Sequence, residues 1–302
     1  MAERIAYDEF SFFHENAAEY GLPFTEPPQV SRVRVEVEPG RALSALRWGS
    51  DQPQLVLLHG GAQNAHTWDT VALALDRPLI AIDLPGHGHS DGPGDHPSGQ
   101  LSATGNAADV AAVIRQLAPD AAAVVGMSLG GLTAIALTDV DPSSVRRLVL
   151  VDITPGVTSE RASHITSFVH GPTSFPSFED LLARTMEFNP TRSESSLRRG
   201  ILHNALQQED GTWVWRHARS RTGPWEGDIP DVSSLWDTIS KISVPVMLCR
   251  GMRADSVIGD DDEQELGRRL PDVRIEHFEH AGHSIQGDMP VELAAAIQDF
   301  VP

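Results

Sequence analysis

The chain has 302 residues, of which 40% are hydrophobic and 22% charged, a composition typical of a globular protein with its own core. Its 42 acidic and 23 basic residues give a formal net charge of −19, which disfavours nucleic acids and anionic membrane surfaces as partners. The single cysteine, Cys249, cannot form an internal disulfide, and the chain has no apolar run typical of a signal peptide or a membrane helix, so we expect a cytoplasmic protein.

Residues 1–30 are predicted to form an amphipathic N-terminal arm, which ends in the proline-rich stretch GLPFTEPPQ. The next segment, SRVRVEVEPG, alternates apolar and charged residues and closes on Pro-Gly. This pattern predicts a half-exposed strand followed by a turn. RALSALRWG would then complete a hairpin.

Six short apolar runs follow, separated by segments with helical periodicity. Most have the continuous apolar character of strands that are buried on both faces, as in a parallel sheet. Their alternation with helices predicts an α/β fold, with a mostly parallel central sheet flanked by helices. The runs are PQLVLLHGG (53–61), RPLIAIDLPG (77–86), AAAVVGMS (121–128), VRRLVLVDITPG (145–156), VPVMLCRGM (244–252) and VRIEHFEHAGH (273–283).

This alternation is interrupted once, between residues 154 and 239. A segment of that length inside a compact domain usually has a structure and a function of its own. We predict a mainly helical cap over 154–239, inserted between the core segments 31–153 and 240–302. Four of the six tryptophans lie in the cap, so we expect an apolar pocket beneath it. Candidate substrate-binding residues are Trp215 of the cap and Trp68 of the core.

A serine stands where one apolar run ends and a helical pattern begins. Gly126-Met127-Ser128-Leu129-Gly130 is a G-x-S-x-G sequence, in the strand–turn–helix context that makes this short pattern specific. The turn would crowd the backbone two residues before and after the serine, so glycine is needed at both places. It would present the Ser128 hydroxyl beside unpaired N–H groups at a helix N-terminus, where an oxyanion could be stabilised.

Four motifs occur in order along the chain: LLHGG (57–61), DLPGHGHSD (83–91), GMSLGG (126–131) and AGHSIQGDMP (281–290). Together they resemble the pattern of the α/β-hydrolase superfamily, over nearly the whole chain after residue 30. The resemblance implies that Ser128 is a nucleophile and that His283, after the last strand, is its base. It also implies an oxyanion hole formed by the backbone N–H groups of Gly61 and Leu129.

The implied triad also needs an acid that orients the imidazole, and two aspartates satisfy the chain order Ser, Asp, His. Asp255 follows the VPVMLC strand, which is the usual position in the family, and we favour it. Asp152 ends the preceding strand, where some relatives carry their acid. It is the alternative.

Two histidine-rich stretches could suggest a metal site. His277, His280 and His283 are three residues apart, but alternate residues of a strand point to opposite faces, so their rings would not converge. HGHSD (87–91) resembles part of a zinc motif of metallo-β-lactamase-type lactonases, but Gly92 stands where that motif has its next histidine. We therefore expect neither a metal nor an organic cofactor.

The serine at the turn also restricts the reaction. Relatives that open epoxides or displace halides carry aspartate there, whereas serine implies an acyl-enzyme formed with a carbonyl substrate. We expect a small, apolar substrate, either a hydrophobic carboxylic ester or a lactone. The open alternatives are hydrolysis of a carbon–carbon bond in a vinylogous keto acid, cofactor-free perhydrolysis, and a ligand receptor without turnover on the same scaffold. The sequence does not indicate an oligomeric state.

Overall fold

Strands and helices alternate along the chain in the predicted order. The computed structural model describes residues 4–92, 103–217 and 232–302. The strands are β1 (Val30–Glu38), β2 (Arg41–Trp48), β3 (Leu55–Leu58), β4 (Leu79–Ile82), β5 (Ala123–Met127), β6 (Leu148–Val151), β7 (Ser174–Phe175), β8 (Ala205–Gln207), β9 (Trp213–Trp215), β10 (Val246–Gly251) and β11 (Arg274–Phe278). The helices are α1 (Phe13–Glu19), α2 (Asp69–Leu75), α3 (Ala103–Leu117), α4 (Leu129–Val140), α5 (Ser163–Val169), α6 (Phe178–Phe188), α7 (Glu194–Asn204), α8 (Leu235–Ile239), α9 (Asp260–Arg269), α10 (Ile285–Asp288) and α11 (Pro290–Phe300), with 3₁₀ turns at Ala65–Trp68 and Pro142–Ser144. None of the helices within the described ranges is both long enough and apolar enough to cross a membrane.

One large sheet organises the molecule. Within the described residues it has eight strands, in the order β1-β2-β4-β3-β5-β6-β10-β11. β1 is antiparallel to β2 and β2 to β4, whereas the pairs from β4 to β11 are parallel. This topology confirms the predicted hairpin and the mostly parallel sheet. The carboxyl ends of the parallel strands therefore lie along one edge, which is where open α/β sheets place their ligands.

The central strands are buried because helices cover both faces of the sheet. Every residue of β3 and β6 is 0% exposed. Val56 and Leu58 point into one hydrophobic cluster, whereas Leu55 and Leu57 point into the other. Successive side chains of a strand alternate between the two faces, so both sets must be apolar. This requirement explains the continuous apolar runs in the sequence.

The N-terminal arm packs into the core of the molecule. Phe13 of α1 is 2% exposed, and its ring centroid lies 4.9 Å from that of Trp48. Asn16 and Tyr20, from α1 and the residue after it, line a cavity of about 930 Å³ that Ser128 also lines. The arm therefore contributes both to the hydrophobic core and to the cavity wall.

The segment between β6 and β10, which we call the insert, contains helices α5–α8 and a small antiparallel sheet in the order β7-β9-β8. The sheet adds three short strands, which the sequence did not indicate, to a segment that was predicted to be mainly helical. It forms where Trp213 and Trp215 alternate with Val214, so that both indoles are buried on one face. The Trp213 ring packs edge-on against Phe178, with centroids 5.1 Å apart. Trp225 of the predicted cap lies outside the described residues.

Candidate active site

Ser128 occupies a strained turn between β5 and α4. Its backbone has φ 51° and ψ −119°, a conformation of the kind that typically costs about 1–3 kcal/mol in a non-glycine residue. A Cβ on Gly126 would lie 2.4 Å from the carbonyl oxygen of Gly130, and a Cβ on Gly130 would lie 2.3 Å from that of Leu58. Glycine is therefore required on both sides of Ser128, as predicted. The contact at Gly126 lies within the turn, whereas the contact at Gly130 comes from the neighbouring strand β3.

His283 and Asp152 form a buried hydrogen-bonded pair after the ends of β11 and β6. Nδ1 of His283 lies 2.9 Å from Oδ2 of Asp152, and Asp152 is 0% exposed. Three further donors hold the carboxylate, namely the N–H of Gly251 at 2.8 Å, the hydroxyl of Ser256 at 2.7 Å and the N–H of Val257 at 3.1 Å. Since a carboxylate only accepts hydrogen bonds, Nδ1 of the imidazole carries the proton. The ring is thus fixed in orientation and tautomer.

Ser128 and His283 line the same cavity. No hydrogen bond joins their side chains in the described part of the chain. Catalytic hydrogen bonds of this kind are often long in unliganded enzymes and shorten when substrate binds. Because Nδ1 of His283 is engaged with Asp152, Nε2 is the nitrogen left for proton transfer.

Asp255, the acid favoured from the sequence, does not pair with His283. Its side chain is 39% exposed and accepts a 3.3 Å hydrogen bond from Arg253. The same loop instead provides Ser256 as a donor to Asp152. The preference for Asp255 is therefore corrected in favour of Asp152, because the carboxylate after β6 is the one buried against the imidazole.

Two backbone N–H groups lie close to Ser128. Gly61, in the turn after β3, and Leu129, the first residue of α4, both line the cavity. Within the described ranges, no acceptor binds either N–H group. The turn approaches the serine closely, since a Cβ on Gly60 would lie 3.2 Å from Cβ of Ser128. The two N–H groups are thus available to a ligand atom beside the serine.

The turn that carries Gly61 is held by side chains on both sides. The next residue, Ala62, has φ 60°, and its N–H donates to Nε2 of His87 at 3.0 Å. Its carbonyl oxygen accepts from Nδ2 of Asn204 in the insert at 2.5 Å. On the core side, His59 binds the N–H of Leu84 through Nε2 at 2.9 Å, and burial lowers the pKa of its imidazole. These contacts keep a strained turn in place.

The histidines of the two histidine-rich stretches have separate partners. Nε2 of His277 lies 2.8 Å from Glu263, whereas His283 faces Asp152. His87, from the HGHSD stretch, holds the turn after β3. Each of these three imidazoles therefore has a different environment.

A family model for the alpha/beta hydrolase family matches residues 55–296. The chain belongs to the alpha/beta hydrolase family. It is 42% identical over 310 residues to the esterase Rv0045c of Mycobacterium tuberculosis, with 98% of each chain covered. A solved structure of that esterase, described together with its inhibition by transition metals, superposes with a TM-score of 0.84 at 41% identity, covering 98% of this chain and 99% of that one. The sn-1-specific diacylglycerol lipase ABHD11 of Xenopus laevis is 29% identical, with 82% of this chain and 80% of its own covered.

In this hydrolase, a cavity of about 930 Å³ lies beside Ser128, between the core and the insert. Its wall is partly apolar on both sides. The core contributes Leu132 and Ile153, and the insert contributes Phe168 and Trp215. A volume in this range is sufficient for a small organic molecule.

Trp68, the second predicted substrate-binding residue, does not line this cavity. It is 0% exposed and belongs to the hydrophobic cluster that contains Leu57 and Val71. The prediction is corrected because the 3₁₀ turn at Ala65–Trp68 directs the indole into the core, while Thr67 lines the cavity.

Several cavity residues were not predicted from the sequence. Asn16 and Tyr20 come from the N-terminal arm, and His203 and Asn204 come from the end of α7. Asn64, after β3, donates from Nδ2 to the carbonyl oxygen of His203 at 3.1 Å. No local pattern indicates these contacts, because the partners are more than a hundred residues apart in the chain.

Proposed function

We propose that this protein is a serine esterase whose catalytic residues are Ser128, His283 and Asp152. The observation that carries the proposal is the 2.9 Å contact between His283 and the fully buried Asp152, in a cavity that also exposes the strained Ser128. A serine hydroxyl needs a base to become nucleophilic, and the base needs an orienting group.

In the proposed mechanism, Nε2 of His283 removes the proton of the Ser128 hydroxyl as Oγ attacks the ester carbonyl carbon. Asp152 stabilises the imidazolium that forms. The N–H groups of Gly61 and Leu129 bind the developing oxyanion, an interaction typically worth about 3–4 kcal/mol per donor in the transition state. His283 then protonates the leaving alcohol, which leaves an acyl-enzyme.

The second half of the reaction uses the same groups. A water molecule takes the place of the alcohol and gives its proton to His283 as it attacks the acyl carbon. The Ser128 oxygen then leaves and recovers its proton from the imidazolium. The products are a carboxylic acid and an alcohol, and the enzyme is regenerated.

An apolar acyl ester is the substrate class that the cavity favours. Phe168 and Trp215 of the insert face the cavity together with Leu132 and Ile153 of the core, so the insert would act as a cap over the acyl chain. The identity with the esterase Rv0045c supports ester hydrolysis. The similarity to a diacylglycerol lipase agrees with an apolar acyl group.

The test is a panel of p-nitrophenyl esters of increasing acyl length, with lactones as a second arm, assayed with wild type and Ser128→Ala. We expect repeated turnover of esters by wild type and a loss of about 10⁴-fold or more in kcat for the variant. Ser143→Ala is a matched control, since Ser143 is exposed and its hydroxyl donates to Asp141 on the surface, and it should retain full activity.

Two results would contradict the proposal. Unchanged ester turnover in Ser128→Ala would exclude this serine as the nucleophile. A single stoichiometric burst in wild type, followed by retention of the product, would indicate a receptor rather than an esterase. Faster turnover of lactones than of open-chain esters would keep the mechanism and change the substrate.

A further inference from the structure

Gln63 is a cavity residue to which the proposed ester hydrolysis gives no role. It lies in the turn after β3, two residues beyond Gly61, and it is half-buried. Its side chain lines the same cavity as Ser128. A primary amide combines an oxygen that accepts hydrogen bonds with a nitrogen that donates two, so the two ends of this side chain can serve different purposes.

The oxygen of the Gln63 side chain closes the turn. Oε1 accepts a hydrogen bond from the N–H of Gly60 at 3.1 Å, and the backbone N–H of Gln63 donates to the carbonyl oxygen of Gly60 at 3.2 Å. Because a backbone N–H can only donate, the amide oxygen must face Gly60, and the amide nitrogen is directed away from it. These two hydrogen bonds fix the orientation of the amide.

The nitrogen of the same amide has no such partner. Among residues 4–92, 103–217 and 232–302, no acceptor binds Nε2 of Gln63. Nor does this atom belong to the buried polar atoms that lack a partner in these ranges. Nε2 is therefore not enclosed by packed side chains, and it presents its N–H groups to the cavity that Gln63 lines.

The amide of Gln63 and the side chain of Ser128 are neighbours across Gly60. A Cβ on Gly60 would lie 3.2 Å from Oε1 of Gln63 and also 3.2 Å from Cβ of Ser128. Both side chains thus lie on the same side of this glycine. The free amide nitrogen belongs to the same turn as the N–H of Gly61, which the proposed mechanism uses to bind the oxyanion.

A third donor beside two backbone N–H groups has a specific use in acyl transfer. The carbonyl oxygen of an ester has two lone pairs, and the N–H groups of Gly61 and Leu129 are sufficient for these. When Ser128 attacks, the oxygen gains a negative charge and a third lone pair. A donor that pairs with this new lone pair binds the transition state more tightly than the ester, which is the difference that accelerates a reaction.

We propose that Nε2 of Gln63 is a side-chain donor of the oxyanion hole and binds the oxyanion together with the N–H groups of Gly61 and Leu129. This inference rests on the proposed esterase mechanism and adds a catalytic residue to it. The donor would serve acylation and deacylation alike, because both pass through a tetrahedral intermediate at the same carbon. The hydrogen bond to Gly60 orients the amide before substrate binds, so that little reorganisation is needed during the reaction.

Gln63→Glu separates the two roles of the side chain. Its carboxylate keeps an acceptor for the N–H of Gly60 but has no N–H to donate, so the turn should survive while the donor is lost. Gln63→Met is neutral and of similar length, and it shows whether a loss of activity is due to the added charge. Gln116→Glu is the matched control, because Gln116 is exposed on α3 and donates to backbone carbonyl oxygens there.

We expect kcat for a p-nitrophenyl ester to fall by about 100-fold in both Gln63 variants, as for the loss of other oxyanion donors, while KM changes little. Gln63→Glu should unfold at the same Tm as wild type, and Gln116→Glu should keep full activity.

Inhibition by an alkyl trifluoromethyl ketone gives a second readout. The Ser128 oxygen adds to the ketone carbon, His283 takes the hydroxyl proton, and the ketone oxygen becomes an oxyanion that is not released. The inhibition constant should therefore rise in the Gln63 variants by about the same factor as kcat falls. A purely structural role of Gln63 in the turn would not produce this proportionality.

Unchanged kcat in folded Gln63→Glu and Gln63→Met, or a change in KM alone, would show that the amide only holds the turn. A loss of kcat without weaker ketone binding would also contradict the proposal. Should neither variant fold, a crystal structure of the wild-type ketone adduct decides, because Nε2 must then lie within about 3.2 Å of the oxyanion.

The outcomes also separate this inference from the proposed function. Full activity of the Gln63 variants, with turnover abolished in Ser128→Ala, would overturn the role of Gln63 and keep the esterase. Ester turnover that survives Ser128→Ala would overturn the proposed function itself.

Discussion

The described part of the chain contains two buried histidine–carboxylate pairs, His283–Asp152 and His66–Asp69, which have similar geometry and different surroundings. In the first, Asp152 receives four hydrogen bonds, one of them from His283. In the second, Asp69 binds His66 at 2.9 Å through one oxygen, while its other oxygen has no partner among the described residues. Both carboxylate oxygens of Asp152 thus accept hydrogen bonds, whereas only one oxygen of Asp69 does so among the described residues.

The neighbours of each pair suggest different uses. His283 shares its cavity with a strained serine, so a fixed imidazole there suits proton transfer. His66 instead stacks on His203, with ring centroids 3.8 Å apart. Burial alone would lower the pKa of His66, but the charge and hydrogen bond of Asp69 and the hydrogen bond of Glu9 outweigh it and raise the pKa to about 9. His66 thus lies between two carboxylates, those of Asp69 and Glu9, whereas His283 contacts one, that of Asp152.

The largest effect, a loss of kcat, is expected from a substitution that disrupts the His283–Asp152 pair. Asp152→Asn keeps the shape of the side chain but removes the charge that orients His283, and an amide can hold the imidazole in the wrong tautomer. We expect kcat to fall by about 10⁴-fold, while Asp255→Asn, at the exposed position, changes kcat only a few-fold. Steady-state kinetics on one p-nitrophenyl ester measures both variants.

The reverse order of these two variants would show that the acid acts from the loop after β10. It would also require a rearrangement of Ser256 and Val257, which donate to Asp152 in the structure. Thermal unfolding of both variants distinguishes lost catalysis from lost folding.

The sequence predicted the strands and the serine turn well because each has a clear local pattern. Continuous apolar runs follow directly from burial on two faces, and Gly126 follows from a backbone contact within the turn, whereas Gly130 follows from the close approach of Leu58 in the neighbouring strand β3. The choice between Asp152 and Asp255 has no such cause. It depends on whether the loop after β10 provides hydrogen-bond donors or the carboxylate itself. An aspartate follows both β6 and β10, so the sequence is compatible with either arrangement.

The surroundings of the second pair could not be predicted from the sequence for a similar reason. His66 and Asp69 are three residues apart, but His203, which stacks on His66, comes from α7 of the insert and is hydrogen-bonded to Tyr7 of the arm. Only the packing of arm, core and insert brings them together. Trp68 was mispredicted for a local reason. Thr67 of the 3₁₀ turn lines the cavity, whereas the next side chain, Trp68, points into the core.

A smaller effect is expected from disturbing the serine turn that distinguishes the first pair. Gly130→Ala would place a Cβ 2.3 Å from the carbonyl oxygen of Leu58, so the backbone must shift. We expect a loss of roughly 1–3 kcal/mol in the free energy of unfolding, measured by urea denaturation, together with reduced kcat. Gly61→Ala is the matched control for stability, because its Cβ would meet nothing within 4 Å. Equal stability of the two variants would contradict the steric account of the turn.

The next substitution removes the Tyr7 hydroxyl, which contacts His203 beside the His66–Asp69 pair, and tests how much this region contributes to stability. Tyr7→Phe deletes a 2.9 Å hydrogen bond to Nδ1 of the buried imidazole, and we expect a loss of about 1 kcal/mol in the free energy of unfolding. Esterase kcat should change far less than in Asp152→Asn, since Tyr7 contacts none of the proposed catalytic residues. A collapse of kcat in a folded Tyr7→Phe protein would mean that the two pairs are strongly coupled.

The smallest expected effect depends on pH and concerns Glu9, which binds Arg32 and His66. Burial alone would raise the pKa of this carboxyl, but the hydrogen bonds of His66 and Arg32 outweigh it and lower the pKa from 4.5 to about 2. A carboxyl with a lowered pKa stabilises the folded state fully above 4.5, and this stabilisation is lost as the pH falls through about 2. We expect Glu9→Gln to lower the free energy of unfolding by about 0.5 kcal/mol at neutral pH, as for other partly exposed ion pairs. In urea denaturation, the difference in the free energy of unfolding between wild type and Glu9→Gln should narrow as the pH is lowered below 4.5. A gap that stays constant would mean that the shape of the side chain, rather than its charge, holds the arm against the second pair.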